Sequence, residues 1–312
     1  MVEIKLYTSD LHKDWNRFVE ESKNATFLHK REYMDYHSDR FDDCSLVAYN
    51  KGKIIALLPA NRVGNTLYSH QGLTYGGWLM PLKHFNVVNM LEVFDAMKDF
   101  LKSIGVNELI YKAIPHIYHK YPAEEDLYAI FRHKGELIET NVSTTVLLSN
   151  PLELNYSYRK AVKIASMYGL DVVESQDYEQ YWNVLSELLD TKYNTNPIHS
   201  LEEITMLQNR FPNNIKLYTV SNERKVIAGV LIYSTPMVAH AQYIASNDEA
   251  KEKGALMLLF NHLIKEVYKD TKYFDFGTSN ENKGLFLNEG LILQKSHLGG
   301  RAIVYNTYRI SF

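Results

Sequence analysis

Cysteine is nearly missing: the 312 residues hold one, Cys44. A disulfide within the chain is thereby excluded, which suits a reducing compartment. The thiol lies in Asp43-Cys44-Ser45-Leu46, at the start of a strand-like run, and reads as a buried bystander rather than a nucleophile. Charge of one sign is also not in excess, with a formal net charge of −3 and a pI near 6.5. Proteins that hold nucleic acid by neutralising phosphates carry a basic excess, so DNA is not an expected partner. Long apolar runs are missing too. Stretches such as Ala255–Phe260 fall far short of the roughly 20 residues a membrane helix needs. The opening MVEIKLYTSD lacks the basic and apolar regions of a signal peptide. The expectation is a cytoplasmic protein with no transmembrane segment. There is no G-x-S-x-G elbow, Walker loop or dinucleotide-binding glycine fingerprint. His116 and His119 have a tempting spacing, but they follow a strand, lie beside Pro115 and have no Cys pair or HExxH with them. No metal is expected.

What is present describes a globular chain. Hydrophobic residues make up 46% and charged residues 23%. The 23 tyrosines and 13 phenylalanines supply buried area, and the tyrosine hydroxyls suit a polar cleft. The length fits two domains better than one.

A pass along the chain finds one unit twice. Val2–Tyr7 alternates as a strand, and Asp10 heads a helix to about Ser22 with Leu11, Trp15 and Phe18 on one face. Strands Ser45–Tyr49 and Lys53–Ala60 flank Asn50-Lys51-Gly52 as a hairpin, and Asn65–His70 follows. A helix over about Asn86–Ser103 ends at Gly105, and the strand Glu108–Ile114 stops at Pro115. In the second half Asp177 heads a helix with Tyr181, Trp182 and Leu185. Strands Ile215–Val220, Lys225–Tyr233 and Val238–Ala245 come next, then a helix over about Asp248–Tyr268 and a strand Tyr273–Gly277. Trp15-Asn16 recurs as Trp182-Asn183 and His70 as His240, shifts of 167 and 170 residues. A constant order with a nearly constant shift argues for duplication, and the period is too long for a solenoid. The expected division falls near Asn150-Pro151, giving domains 1–150 and 151–312. With no low-complexity linker between them, they are expected to pack rigidly, side by side.

Strand, helix, hairpin, strand, helix, strand is the order of the GNAT acyltransferase fold. In tandem it resembles the Fem-type branch, whose members attach acyl or aminoacyl groups to cell-envelope precursors. The resemblance is carried by TFLHKREYMDYH (Thr26–His37), LLPANRVGNTLYSHQGLTYGG (Leu57–Gly77), VAHAQYIAS (Val238–Ser246) and FDFGTSNENKGLFLNEGLILQKSHLGGRAIVYNTY (Phe274–Tyr308). It implies an α/β class with mixed sheets and two GNAT-like domains. It also implies a thioester co-substrate, acyl-coenzyme A or acyl carrier protein, and no metal. The acceptor is expected to be the amine or hydroxyl of a small-molecule or lipid-linked precursor, such as a nucleotide sugar. An aminoacyl-tRNA donor is the less favoured alternative, and a catalytically degenerate binding module is the non-enzymatic one. Two departures stand out. Where coenzyme A-binding members carry a glycine-rich turn for the pyrophosphate, this chain has Ser246 to Gly254, with one glycine and the carboxylates Asp248 and Glu249. The long charged arm of some Fem enzymes that take aminoacyl-tRNA is also missing.

Direct acyl transfer needs a proton acceptor, an aligned acceptor group and donors for the tetrahedral oxyanion. Val238–Ala245 is the strand expected to present backbone N–H groups. His240, Asp275 and Tyr243 are the catalytic candidates. Histidine accepts protons near neutral pH, Asp275 ends a strand before Gly277-Thr278-Ser279-Asn280, and a tyrosine hydroxyl can protonate a leaving thiolate. For substrate binding the candidates are His70, Tyr75, Lys192, His199, Ser279, Lys295 and Arg301. Lys295 and Arg301 flank Gly299-Gly300, a plausible phosphate clamp, and Lys192, Tyr193 and His199 fall in a stretch read as a loop. The groove between the domains is expected to take the acceptor, with Lys192, Lys295 and Arg301 on its phosphates.

Overall fold

The structure, a computed structural model, describes residues 1–312 except the side chain of Tyr193. The chain runs β1 (Val2–Leu6), α1 (His12–Glu21), α2 (Arg31–Met34), β2 (Leu46–Asn50), β3 (Lys53–Leu58), β4 (Asn61–Val63), β5 (Thr66–Tyr68), α3 (Val87–Ser103), β6 (Glu108–Lys112), α4 (Glu125–Arg132) and β7 (Glu136–Leu147). It continues as α5 (Tyr156–Met167), β8 (Val172–Ser175), α6 (Tyr178–Tyr193), α7 (Leu201–Arg210), β9 (Ile215–Asn222), β10 (Lys225–Ser234), β11 (Val238–Ser246), α8 (Asp248–Lys253), α9 (Ala255–His262), β12 (Tyr273–Thr278), β13 (Asn280–Glu281), β14 (Phe286–Leu287), α10 (Glu289–His297) and β15 (Arg301–Ser311).

Two compact units result. The first holds residues 1–142, 280–287 and 304–312, and the second holds 143–279 and 288–303. This differs from a single division near Asn150-Pro151. The chain passes between units inside strands rather than in a linker, because β7 gives its last residues to the second unit and β15 gives most of its length to the first. Antiparallel Thr145↔Asp275 pairing fixes the end of β7 in one, and Arg309↔Ile110 pairing fixes β15 in the other.

In the first unit β1, β2 and β3 form an antiparallel sheet, and β4, β5, β6 and β15 form a second group in that order. The β2–β3 hairpin turns at Lys51 and Gly52, both at positive φ, which the glycine adopts without penalty. Asn86 caps α3 by accepting the Val88 and Asn89 N–H groups. The apolar face of α3 (Met90, Val93, Phe94, Met97, Leu101) is buried with Trp78 and Tyr111. Burying each such side chain stabilises by about 1.5–3 kcal/mol. Asp10 heads no helix: it lies in a short 3-10 turn and accepts from the Thr8 hydroxyl, leaving Leu11 at the start of α1.

In the second unit the strand order is β7-β12-β11-β10-β9-β8, and only β11 and β12 are parallel neighbours. Asp177 does cap α6, accepting the Gln180 N–H at 3.0 Å. The core gathers Phe260, Phe274 and Phe276 with Val230, Ile232 and Leu259. The helix expected over Asp248–Tyr268 is broken. Gly254 takes φ +68°, separating α8 from α9, and a Cβ there would lie 2.6 Å from the Ala161 carbonyl oxygen on α5. After His262 the helix loosens into a π turn over Leu263–Val267.

Candidate active site

The second unit brings four of the expected residues to one strand end. Asp275 on β12 is fully buried. Its Oδ1 accepts from the Ser143 hydroxyl at 2.5 Å and the Thr145 hydroxyl at 2.7 Å, and its Oδ2 faces His240 Nδ1 at 2.7 Å. Burial pushes the Asp275 carboxyl up, but the hydrogen bond and charge of His240 and the two hydroxyls outweigh it, and the net displacement is downward. An ionised Asp275 can only accept, so Nδ1 of His240 is the donor in this bond. The His240 side chain is 13% exposed against 0% for Asp275, so the imidazole is the member of the pair that reaches solvent.

Register explains this meeting. Parallel pairing of β11 with β12 runs Val238↔Tyr273, Ala239↔Phe274, His240↔Asp275 and stops there. β11 continues to Ser246, so its later residues have left β12. On the other edge of β11, Tyr233 faces His240, Ile232 faces Ala241 and Leu231 faces Tyr243, making Gln242 a bulge. Leu231 and Tyr233 share a face, so the bulge puts Tyr243 on the face of His240, which regular alternation would forbid. Tyr243 is held there by Trp182, edge-on at 5.4 Å, and by His199. Its oxygen accepts the His199 N–H at 3.3 Å and shares a hydrogen bond with His199 Nδ1 at 2.7 Å. Burial raises the Tyr243 hydroxyl to about 12, so it keeps its proton at neutral pH.

Lys295 lies behind this strand end. Its ammonium, on α10, donates to the Gly277 carbonyl at 2.8 Å, the Thr278 carbonyl at 2.9 Å and the Ser279 hydroxyl at 3.0 Å. The residue is 5% exposed. Burial lowers its pKa to about 8, opposed by the charge of Asp275. The expected phosphate clamp is therefore corrected. All three protons of Lys295 are committed inside the unit, and Ser279 is one of their acceptors rather than a surface contact. Gly299-Gly300 serves packing: a Cβ on Gly300 would lie 2.4 Å from Thr144 Cγ2, and one on Gly299 3.0 Å from the Leu152 carbonyl oxygen. Arg301 is exposed and donates to the Gly300 carbonyl at 2.6 Å. Lys192 is exposed in the last turn of α6, not in a loop, and the Tyr193 side chain lies outside the described residues.

His70 and Tyr75 belong to the first unit and are buried there. His70 takes φ +61° and stacks on His37 at 5.2 Å with 22° between the rings. Tyr75 donates to Thr26 Oγ1 at 3.3 Å and packs on Tyr118. Both sit in the interior of the unit. Ser143 and Thr145 were missed as partners of the carboxylate. Nothing local in the sequence ties either residue to Asp275. Among the described residues no group of three or more His, Cys, Asp or Glu is arranged to hold a metal ion. His119 Nε2 lies 3.0 Å from the Ile114 carbonyl.

Residues 156–282 match the acetyltransferase (GNAT) domain family. No curated protein sequence matches the chain. Among solved structures, FemX superposes with a TM-score of 0.67 at 10% identity, covering 99% of this chain and 97% of that one. L-PGS from Bacillus licheniformis gives 0.63 at 14% identity, covering 96% and 91%. A tandem GNAT protein from the clavulanic acid biosynthesis pathway gives 0.53 at 9% identity, covering 100% and 98%. At such identities the likeness speaks for the fold. The mixed α/β architecture is shared with FemX and the tandem GNAT protein, and the residues that match the acetyltransferase (GNAT) domain lie almost wholly in the second unit.

Proposed function

We propose that the second unit transfers an acyl group from an activated donor to an amine or hydroxyl, with His240 as proton acceptor. The observation that carries this reading is the His240–Asp275 pair, placed where β11 leaves β12. The acceptor nitrogen or oxygen attacks the acyl carbonyl carbon as its proton passes to Nε2 of His240. Asp275 holds Nδ1 and stabilises the imidazolium that forms. The tetrahedral oxyanion takes hydrogen bonds from backbone N–H groups of β11 beyond His240, which no longer face β12. Collapse breaks the bond to the donor's sulfur or oxygen, and the proton held on Nε2 returns to the leaving group or to water.

Coenzyme A is the donor the GNAT name implies, and the turn that would take its pyrophosphate does not fit it. Asn247 already fills the N-terminus of α8, accepting the Ala250 N–H at 2.9 Å. Asp248 and Glu249 stand in that first turn. The N-terminus of α9 lies against the Ala161 carbonyl of α5. Two carboxylates and a carbonyl oxygen repel a diphosphate. The same observation favours donors carried by a macromolecule, either an acyl carrier protein thioester or, as a second reading, an aminoacyl-tRNA. The acceptor is a small or lipid-linked envelope precursor, as the Fem resemblance implies.

The test is turnover, read by mass spectrometry, against acetyl- and long-chain acyl-coenzyme A, acyl carrier protein thioesters and aminoacyl-tRNA, with amine and hydroxyl acceptors. Transfer from one carrier-borne donor, abolished in His240→Ala, is expected. Efficient transfer from free acyl-coenzyme A would overturn the donor assignment. Undiminished transfer by His240→Ala would overturn the site.

A further inference from the structure

The outer face of α5 has a composition that the acyl-transfer site leaves unexplained. The inner face docks closely: Ala165 is fully buried, and Ala161 meets the helix break at Gly254. The other side carries Tyr156, Lys160, Lys163 and Met167, spaced four, three and four residues apart and so aligned on one stripe. Tyr156 is 74% exposed and Met167 86%, with Tyr168 at 57% and Leu152 at 48% beside them. Large side chains this exposed at both ends of one helical stripe are unusual on a surface that meets only water. No aspartate or glutamate occurs from Leu154 to Leu170. Arg159 pairs with Glu153 at 3.0 Å, whereas Lys160 and Lys163 form no ion pair among the described residues.

From these features we propose that α5 is an interfacial helix that lays this stripe on an anionic lipid surface. Two unpaired ammonium groups meet the headgroup charge, while the tyrosine and methionine at the two ends enter the boundary between headgroups and chains. The stripe is about 16 Å long at 1.5 Å per residue, so the helix lies in the plane of the surface rather than across it. Charge complementarity selects this occupant over an apolar protein groove, which two unpaired lysines at mid-stripe would oppose. It also outweighs RNA. Two cations release too few counterions to hold a phosphate backbone at physiological salt, and the exposed methionine has no part in such a contact. The proposal needs no turnover, so its failure is distinguishable from failure of the acyl-transfer reading.

The experiment is cosedimentation of the full chain with sucrose-loaded vesicles. One set is phosphatidylcholine alone and the other has about one third phosphatidylglycerol, both at 50 and 300 mM salt. Binding to the anionic vesicles that weakens with salt is expected, with little binding to the neutral ones. K160A/K163A should lower the partition coefficient by about thirty-fold, the combined effect of two lysines near an anionic surface. Y156S/M167S should weaken binding at both salt concentrations, and circular dichroism should show both variants folded. All four side chains are on the outer face of the helix, so folding is expected to survive. No binding by the wild type, equal binding to both vesicle types, or unchanged binding by both variants would overturn the proposal. Binding of bulk tRNA that is lost in K160A/K163A, with no binding to either vesicle type, would also overturn it, in favour of RNA.

Discussion

The two units build the same strand end and finish it differently. In the first, β5 pairs with β6 in parallel over Thr66↔Glu108 to Tyr68↔Ile110, as β11 pairs with β12 in the second. There the likeness stops. After Tyr68 the chain keeps bonding to β6. Ser69 N–H donates to the Ile110 carbonyl at 2.9 Å, Lys112 N–H to the Ser69 hydroxyl at 2.7 Å and Gly76 N–H to the Lys112 carbonyl at 3.1 Å. The Lys112 ammonium holds the loop from inside, donating to the Leu73 carbonyl at 2.8 Å and the Gln71 carbonyl at 3.3 Å. The gap between the strands is filled, and His70 is shut in against another imidazole, with no carboxylate bonded to it among the described residues. In the second unit β11 runs on past its last pair, the gap stays unfilled by strand pairing, and His240 has its carboxylate. Each unit carries a histidine near this strand end, but His240 lies within the parallel pairing and His70 two residues beyond it, and only His240 has a buried anion behind it to help it take a proton from a substrate.

The largest effect that would sharpen this contrast is acid sensitivity. Burial lowers His70 to about 3, and His29 and His119 to about 4, and all three belong to the first unit. In the unfolded chain they titrate near 6.5. Below that pH the unfolded state binds protons that the folded state refuses, so stability falls as pH drops from about 6.5 toward 4. Each histidine contributes about 1.4 kcal/mol per pH unit, and three together about 4. Hydrogen exchange at pH 7, 6 and 5 should show the first unit losing protection before the second. His70→Gln should remove about a third of the slope. Parallel loss in both units would break the comparison.

The next effect is on turnover. His240→Ala should reduce kcat about 10²–10⁴-fold, the usual contribution of a positioned general base. His70→Ala should leave kcat within a few-fold, and equal losses would mean that both strand ends take part. A third prediction concerns Asp275. Its replacement by Ala leaves the Ser143 and Thr145 hydroxyls without their acceptor and should cost about 2–4 kcal/mol in urea unfolding. His240→Ala should cost less, since its ring is partly exposed. The smallest effect concerns Lys295, whose pKa falls from the unfolded value near 10.4 to about 8. Between these values the unfolded state binds the extra proton, so stability should rise with pH from about 8 to 10. Lys295→Met should abolish that rise, read as the urea midpoint at pH 7.5 against 9.5.

Much of the fold was legible because it rests on local signals. Asn50-Lys51-Gly52 marks its hairpin, Asp177 caps α6, and alternation finds β9, β10 and β11. Ser200 and Glu203, a reciprocal cap that both bonds bear out, announce α7, which periodicity alone overlooked. The pairing of His240 with Asp275 was half legible. Both residues could be named, but their adjacency depends on a parallel register between segments separated by two helices. Lys295 was misread for a similar reason. A lysine near two glycines looks like a clamp until packing shows which way its ammonium points. The handover of strands between units left no local trace, since no glycine or proline interrupts β7 or β15 where one unit gives way to the other.

That handover bears on how the protein is made. β6 receives its neighbour β15 only after more than 190 further residues have been translated. Until then the first unit has an open strand edge, the kind of surface that chaperones occupy and that stray strands join. A ribosome-bound nascent chain ending near residue 150 should therefore be a poor folder, and supplying residues 304–312 as a separate peptide should help it close.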